Sequence, residues 1–117
     1  MDTTAALRQD LAAALKARDR ARAGVLRTLL SAVANAEAQP ADSSMQADEG
    51  PIAGAVTGLG AAEVDRRQLT AADVRAVIAG EHAERLRAAA DLDAHGATDA
   101  AEALRVEARL VASYLGG

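Results

Sequence analysis

Apolar side chains recur at helical spacing in the first forty residues, and this pattern predicts two helices. Leu7, Leu11 and Leu15 lie four residues apart and form one stripe along a helix. A denser set of apolar positions follows between Val25 and Val33. Asp19 lies between the two stretches, and its carboxylate can accept from the free backbone N–H groups at a helix start. We therefore expect a bend near Asp19 rather than one long helix.

A third helix is predicted by the signals at its two ends. Thr70 and Asp73 have the spacing of a capping box, and Leu69 and Val74 have that of a hydrophobic staple. Gly96 is a favourable residue just beyond a helix C-terminus. The apolar stripe of this helix comprises Val74, Val77, Ile78, Leu86 and Leu92.

The last helix is predicted to begin at Thr98 or Asp99 and to end at Gly116-Gly117. The chain is then a single all-α domain over 1–117, a small antiparallel bundle of about four helices. Helices 1 and 2 occupy 1–38, a linker occupies 39–68, and helices 3 and 4 occupy 69–117.

The segment between helices 2 and 3 is predicted to be a long mobile linker rich in Gly, Pro and acidic residues. It holds both prolines, and residues 39–65 carry five acidic side chains and no basic one. Gly58-Leu59-Gly60 lacks the Lys-Ser/Thr of a nucleotide phosphate loop. The linker interpretation is therefore favoured over a phosphate loop.

The composition limits the core and excludes several classes of protein. Of 117 residues 33 are alanine, and the chain has no Phe or Trp, so we expect a thin core of Leu and Val. It has no Cys, which excludes disulfides and thiol catalysis. No apolar run approaches the length of about 20 residues that spans a bilayer, so we expect no membrane partner and a cytoplasmic location.

The sequence indicates no catalytic residue, metal ligand set or cofactor site. His82 and His95 are the only histidines, and on one helix their side chains point in well-separated directions. Carboxylate pairs such as Asp91 and Asp93 do not converge on one helical face, and no Ser forms a recognisable nucleophile pattern with a His. The more economical interpretation of these residues is a solvated helix surface.

The basic residues near the predicted bend are the most informative polar feature. Arg20 and Arg27 are seven residues apart and lie on nearly the same helical face, and Arg18 and Arg22 are four apart and are expected to be neighbours. Together with Lys16 they concentrate positive charge around one helix junction, as phosphate contacts require. No aromatic residue is available there to stack on bases, and an ordinary solvated surface is the alternative.

These residues also resemble the opening of YqeY-like proteins, whose pattern runs DL, then A.K..D..R, then VLR.LL.A..NAE. The matching residues in the first part are Asp10-Leu11, Lys16-Ala17-Arg18-Asp19, Arg22, Val25-Leu26-Arg27-Thr28-Leu29-Leu30 and Asn35-Ala36-Glu37. Later matches are Leu69-Thr70, Asp73-Val74, Glu81, Arg85, Leu104, Glu107, Leu110 and Tyr114-Leu115. The family has a proline where this chain has Gly116.

The resemblance implies a non-catalytic helical module of the GatB/YqeY type. It points to tRNA, or a protein of tRNA-dependent amidation or aminoacylation, as the partner, with Lys16, Arg18, Arg22 and Arg27 as candidate phosphate contacts. The related tail of the aspartyl/glutamyl-tRNA amidotransferase B subunit contributes to tRNA binding. Full-length relatives continue into a second small helical domain, so this chain is similar to their first part alone.

Two alternatives stay open at the level of sequence. One is a protein-interaction or homo-oligomerising module without RNA binding, since a thin core leaves apolar surface exposed. The other is an accessory to a carbon–nitrogen ligase that uses glutamine as amido-N donor, which the resemblance implies and no residue of this chain shows.

Overall fold

The computed structural model describes residues 1–39 and 67–116, which form four α-helices and no strand. The helices are α1 (Thr3–Lys16), α2 (Arg20–Ala38), α3 (Ala71–Ala94) and α4 (Thr98–Ala112). α1 packs against α2, α3 packs against α4, and the two pairs meet mainly through α2 and α3. The predicted all-α bundle is confirmed. The predicted mobile linker, with Gly58-Leu59-Gly60, falls almost entirely on residues 40–66, outside the described part of the chain.

The predicted bend near Asp19 separates α1 from α2. The Asp19 carboxylate accepts from the backbone N–H of Arg22 at 3.1 Å and so caps the first turn of α2. In the same way the Asp2 carboxylate accepts from the backbone N–H of Ala5 at 2.7 Å and caps α1. Each aspartate satisfies a donor that the helix itself leaves unpaired, so the chain begins a new helix at each of them.

The capping box predicted for α3 is also confirmed. The Thr70 hydroxyl accepts from the Asp73 N–H and the Asp73 carboxylate accepts from the Thr70 N–H, both at 3.0 Å. The bond from the Thr70 backbone N–H is the main reason that the pKa of Asp73 is lowered from its ordinary value. Of the predicted staple pair, Val74 belongs to the hydrophobic core cluster and Leu69 is partly buried against it.

The end of α4 differs from the prediction. The helix was expected to continue to Gly116-Gly117, but its last residue is Ala112. Beyond it the N–H groups of Tyr114 and Leu115 bond to carbonyls three residues back, at 3.0 and 2.9 Å. Such tighter turns commonly close a helix C-terminus, and here they bring Tyr114 and Leu115 against the core.

The core contains one layer of large aliphatic side chains, and small side chains extend it. The largest fully buried residues are Leu7, Leu26, Leu29, Ile78 and Val111. Five alanines are buried as well, at Ala14, Ala23, Ala89, Ala101 and Ala108. Alanine lets helices approach closely, so the abundance of this residue supports packing between helices more than the bulk of the core.

Two leucines that the sequence pattern assigned to apolar stripes are not in the core. Leu15 is 47% exposed and Leu86 is 43% exposed. Each lies eight residues after a buried residue, Leu7 or Ile78, and eight residues at about 100° each leave it about 80° away around the helix. Ala14, seven residues after Leu7, lies about 20° away and is buried instead.

Candidate functional site

A groove lies where α1 ends and α2 begins, and most of its polar lining is positively charged. Its volume is about 510 Å³. The groove is lined by Ala14, Leu15, Arg18, Asp19, Arg20, Ala23 and Arg27. All three arginines are exposed to solvent, so the lining carries three positive charges against the single negative charge of Asp19. The two alanines are buried and form an apolar floor.

The turn that forms this groove has the hydrogen bonds of a Schellman motif. The Asp19 N–H bonds to the Ala14 carbonyl at 2.9 Å, and the Arg18 N–H bonds to the Leu15 carbonyl at 3.1 Å. The motif requires a left-handed backbone at the residue after the helix cap, and that residue is Arg18, with φ +60°. Glycine is the usual residue there because a Cβ atom is disfavoured in this conformation.

The structure places two of the four predicted phosphate contacts in the groove. Arg18 and Arg27 line it, together with Arg20, whereas Lys16 and Arg22 do not. The expectation that Arg18 and Arg22 are helical neighbours is wrong, because Arg18 lies in the turn and the spacing of four residues within a helix does not apply to it. Arg20, which the sequence placed on nearly the same face as Arg27, completes the group.

Arg22 lies instead near the C-terminal end of the described chain. Arg22 is half-buried and lies close enough to Tyr114 for its positive charge to lower the pKa of the phenol slightly. The Tyr114 hydroxyl donates to the Asp10 carboxylate at 2.5 Å. Burial, with this hydrogen bond second, raises the pKa of Tyr114 to about 12. The contact ties the turn after α4 to the middle of α1, so this cluster belongs to the packing of the bundle.

All the ion pairs formed among the described residues use arginines of 67–116, although Arg75 and Arg87 in that part are also unpaired. Within residues 1–39 and 67–116, none of the basic side chains of α1, α2 and the turn between them forms an ion pair. On α4, by contrast, Arg105 contacts Asp93 at 2.8 Å and Glu102 at 2.9 Å, and Arg109 contacts Glu102 at 3.2 Å. No carboxylate of residues 1–39 or 67–116 therefore occupies the guanidinium groups of the groove.

The spacing of Glu81 and Arg85, and of Glu84 and Arg87, predicts two ion pairs on the exposed face of α3, and only the first is formed. Arg85 does contact Glu81 at 2.9 Å, but it also contacts Glu107 of α4 at 3.1 Å, and its side chain is only 11% exposed. Arg87 makes no ion pair with Glu84 among the described residues. Arg85 lies seven residues after the buried Ile78 and so faces α4, where a pair with Glu107 adds to the pair within the helix.

The other polar groups weighed in the sequence are separate from the groove. The ring Nδ1 of His95 lies 2.8 Å from the Asp91 carbonyl, one turn back on α3. A second groove of about 290 Å³, between the start of α1 and the end of α2, is lined by one arginine, Arg8, and one glutamate, Glu37, among neutral residues. Its formal charges balance, which makes it less suited to an anion.

Two features are absent from the described residues. They contain no group of three or more His, Cys, Asp and Glu side chains that could hold a metal ion. Over the same ranges, no helix has the length and apolar character needed to cross a membrane.

Sequence reasoning missed the contribution of Leu15 to the groove. The signal was present, because a leucine eight residues after Leu7 lies well off the face that Leu7 buries, and Asp19 follows four residues later as a helix cap. The spacing of apolar residues carries no information on where α2 packs. In the structure α2 does not cover Leu15, which lies beside three arginines.

Comparison of the chain with protein-family models, with curated proteins and with solved structures finds no match. Membership of the YqeY-like family therefore stays a prediction that rests on the residues quoted above.

Proposed function

We propose that this chain is a non-catalytic helical module of the GatB/YqeY type that binds tRNA through phosphate contacts at the α1–α2 groove. One observation carries the proposal: Arg18, Arg20 and Arg27 line a single groove, and none of them is paired with a carboxylate of the described residues. The resemblance to YqeY-like proteins, whose pattern includes Arg22 and Arg27 and leaves position 18 open, supplies tRNA as the expected polyanion.

The chemistry of the groove suits phosphate. A guanidinium group is planar and always charged, and its N–H groups match the spacing of two phosphate oxygens. The one acidic residue in the lining, Asp19, already accepts from the Arg22 backbone N–H and makes no ion pair with the three arginines. Three cations that converge on one open groove attract a polyanion by a salt-sensitive mechanism that does not read base sequence.

The proposal predicts a defined salt dependence of tRNA binding. With about three phosphate contacts, the slope of log K against log salt concentration is expected between about −2 and −3. The double variant Arg18→Gln/Arg27→Gln should weaken binding at low salt and reduce the size of this slope by about two. A mobility-shift titration at several salt concentrations measures both quantities.

A matched control comes from α3. Arg75 and Arg87 are exposed, and neither forms an ion pair among the described residues, so Arg75→Gln/Arg87→Gln removes the same charge away from the groove. We expect this control to leave the slope nearly unchanged. The groove is not an RNA site if the parent chain gives no mobility shift of tRNA at low salt. The same conclusion follows if the groove variant and the α3 control lose affinity equally.

A further inference from the structure

The chain contains two helix-ending turns with the same hydrogen bonds but different residues. After α3, the Ala97 N–H bonds to the Leu92 carbonyl at 2.8 Å and the Gly96 N–H bonds to the Asp93 carbonyl at 3.0 Å. This is again a Schellman motif, and Gly96 holds the left-handed position with φ +81°. The second turn follows the usual residue preference, whereas the α1–α2 turn has Arg18 at the equivalent position.

The residue after the left-handed position differs as well. In a Schellman motif this residue is commonly apolar and packs back on the end of the helix, as the pair Ala97 and Leu92 allows. In the α1–α2 turn the equivalent residue is Asp19, whose carboxylate caps α2. This turn therefore has no apolar residue that packs back on Ala14, the equivalent of Leu92, and the next residue of α1, Leu15, is 47% exposed in the groove.

The groove thus offers two kinds of surface side by side. Arg18, Arg20 and Arg27 present guanidinium groups, and Leu15 presents apolar surface next to the alanine floor. A volume of about 510 Å³ is within the range of about 300 to 1,000 Å³ that holds small-molecule ligands, and so it can accommodate a nucleotide. A ligand that uses the whole groove must combine negative charge with an accessible flat apolar face.

We propose that the groove accepts a single-stranded segment of RNA, with phosphates on the arginines and one unstacked base against Leu15. The inference rests on the proposed function and identifies which part of an RNA the groove takes. In a duplex the base faces are stacked on each other, and only the backbone and groove edges are accessible, so the surface of Leu15 would have no counterpart. In loops and ends the bases are free to leave the stack, and guanidinium planes can also stack on them in the absence of aromatic residues.

The test compares a labelled single-stranded RNA of about 10 nucleotides, a length within the usual range for single-strand sites, with the duplex of the same sequence. The key variant is Leu15→Gln, which puts a polar side chain of similar size and good helix propensity at an exposed position. We expect it to weaken single-strand binding about fivefold, as the loss of a modest buried apolar contact, and to leave duplex binding unchanged.

Leu86→Gln is the matched control, because Leu86 is 43% exposed on α3 and does not line the groove. It should change neither affinity. Circular dichroism of each variant establishes that the helices are intact before binding is measured by fluorescence anisotropy. Polyglutamate of the same formal charge serves as a third ligand, and we expect it to bind more weakly than the single strand.

The outcomes separate this inference from the proposed function. If Leu15→Gln leaves single-strand binding unchanged, or if the duplex binds as tightly as the single strand, the base contact is wrong while phosphate binding stands. If polyglutamate binds as tightly as the single strand, the groove is an acidic-peptide site and this inference is overturned. If neither RNA binds at low salt, both proposals fail.

Discussion

Arg18 offers a test in which stability and binding change in opposite directions. A left-handed backbone costs an L-residue about 1 to 2 kcal/mol, and Arg18 has φ +60°. Glycine removes this cost but loses more conformational entropy on folding, by about 0.5 to 1 kcal/mol. Because the first term is the larger, Arg18→Gly should raise the free energy of unfolding by about 0.5 to 1 kcal/mol.

Thermal unfolding followed by circular dichroism at the helix signal measures this difference. For a domain of this size, about 0.5 to 1 kcal/mol corresponds to a rise in Tm of about 2 to 6 °C. The same variant lacks one groove guanidinium, so its tRNA affinity at low salt should fall and the salt slope should become smaller by about one. A protein that becomes more stable while it loses binding is the signature of a strained residue kept for contact with a ligand.

Gly96→Ala provides the reverse change at the equivalent position of the other turn. A Cβ atom at Gly96 meets no heavy atom within 4 Å, so only the backbone conformation opposes it. We expect a loss of about 1 kcal/mol and no effect on RNA binding. The reasoning about strain is refuted if Arg18→Gly is less stable than the parent chain, because the Arg18 side chain must then stabilise the fold by contacts that outweigh the backbone cost.

Three further predictions concern the packing of the bundle and use urea denaturation. Thr70→Ala removes one half of the capping box and should cost about 1 kcal/mol, and no loss would mean that water replaces the cap. Ile78→Ala empties a fully buried position and should cost about 2 to 5 kcal/mol, so a loss below this range would indicate that the core collapses around the gap. Tyr114→Phe should cost about 1.5 kcal/mol at neutral pH, since it removes a hydrogen bond to the Asp10 carboxylate. Because the pKa of Tyr114 is raised from 10.0 to about 12 in the fold, its contribution is complete below pH 10 and is lost as the pH rises towards 12. The parent chain should lose stability over that range more than Tyr114→Phe does, and parallel pH profiles would contradict this assignment.

The helix ends were the part of the fold that could be predicted most fully from the sequence. The Asp19 cap, the Thr70–Asp73 capping box and the glycine at 96 each depend on hydrogen bonds between groups no more than five residues apart. Such signals are complete within a short stretch of chain, and they do not depend on how the helices pack. The exception is α4, where tighter turns end the helix at Ala112, before the glycines that were expected to end it.

Burial along each helix could be predicted only in part. The spacing of four residues correctly placed Val74 and Ile78 on one buried face. A spacing of eight residues from Leu7 and from Ile78 wrongly assigned the half-exposed Leu15 and Leu86 to buried stripes. The residues buried near them are Ala14 in α1 and Ala89 in α3, and alanine carries too little apolar surface to mark a buried position in a chain with 33 alanines.

The candidate site shows the same division. The sequence identified a basic junction and, in Arg20 and Arg27, two side chains on nearly one face, because these features follow from composition and helical geometry near the bend. Only the tertiary structure decided that Arg18 and Leu15 join that face, that Arg22 turns towards Tyr114 and that Arg85 finds Glu107 across the bundle. The physical reason is range: a cap or a helical face is determined within one or two turns of chain, whereas the partner of a charge depends on the helix that packs beside it.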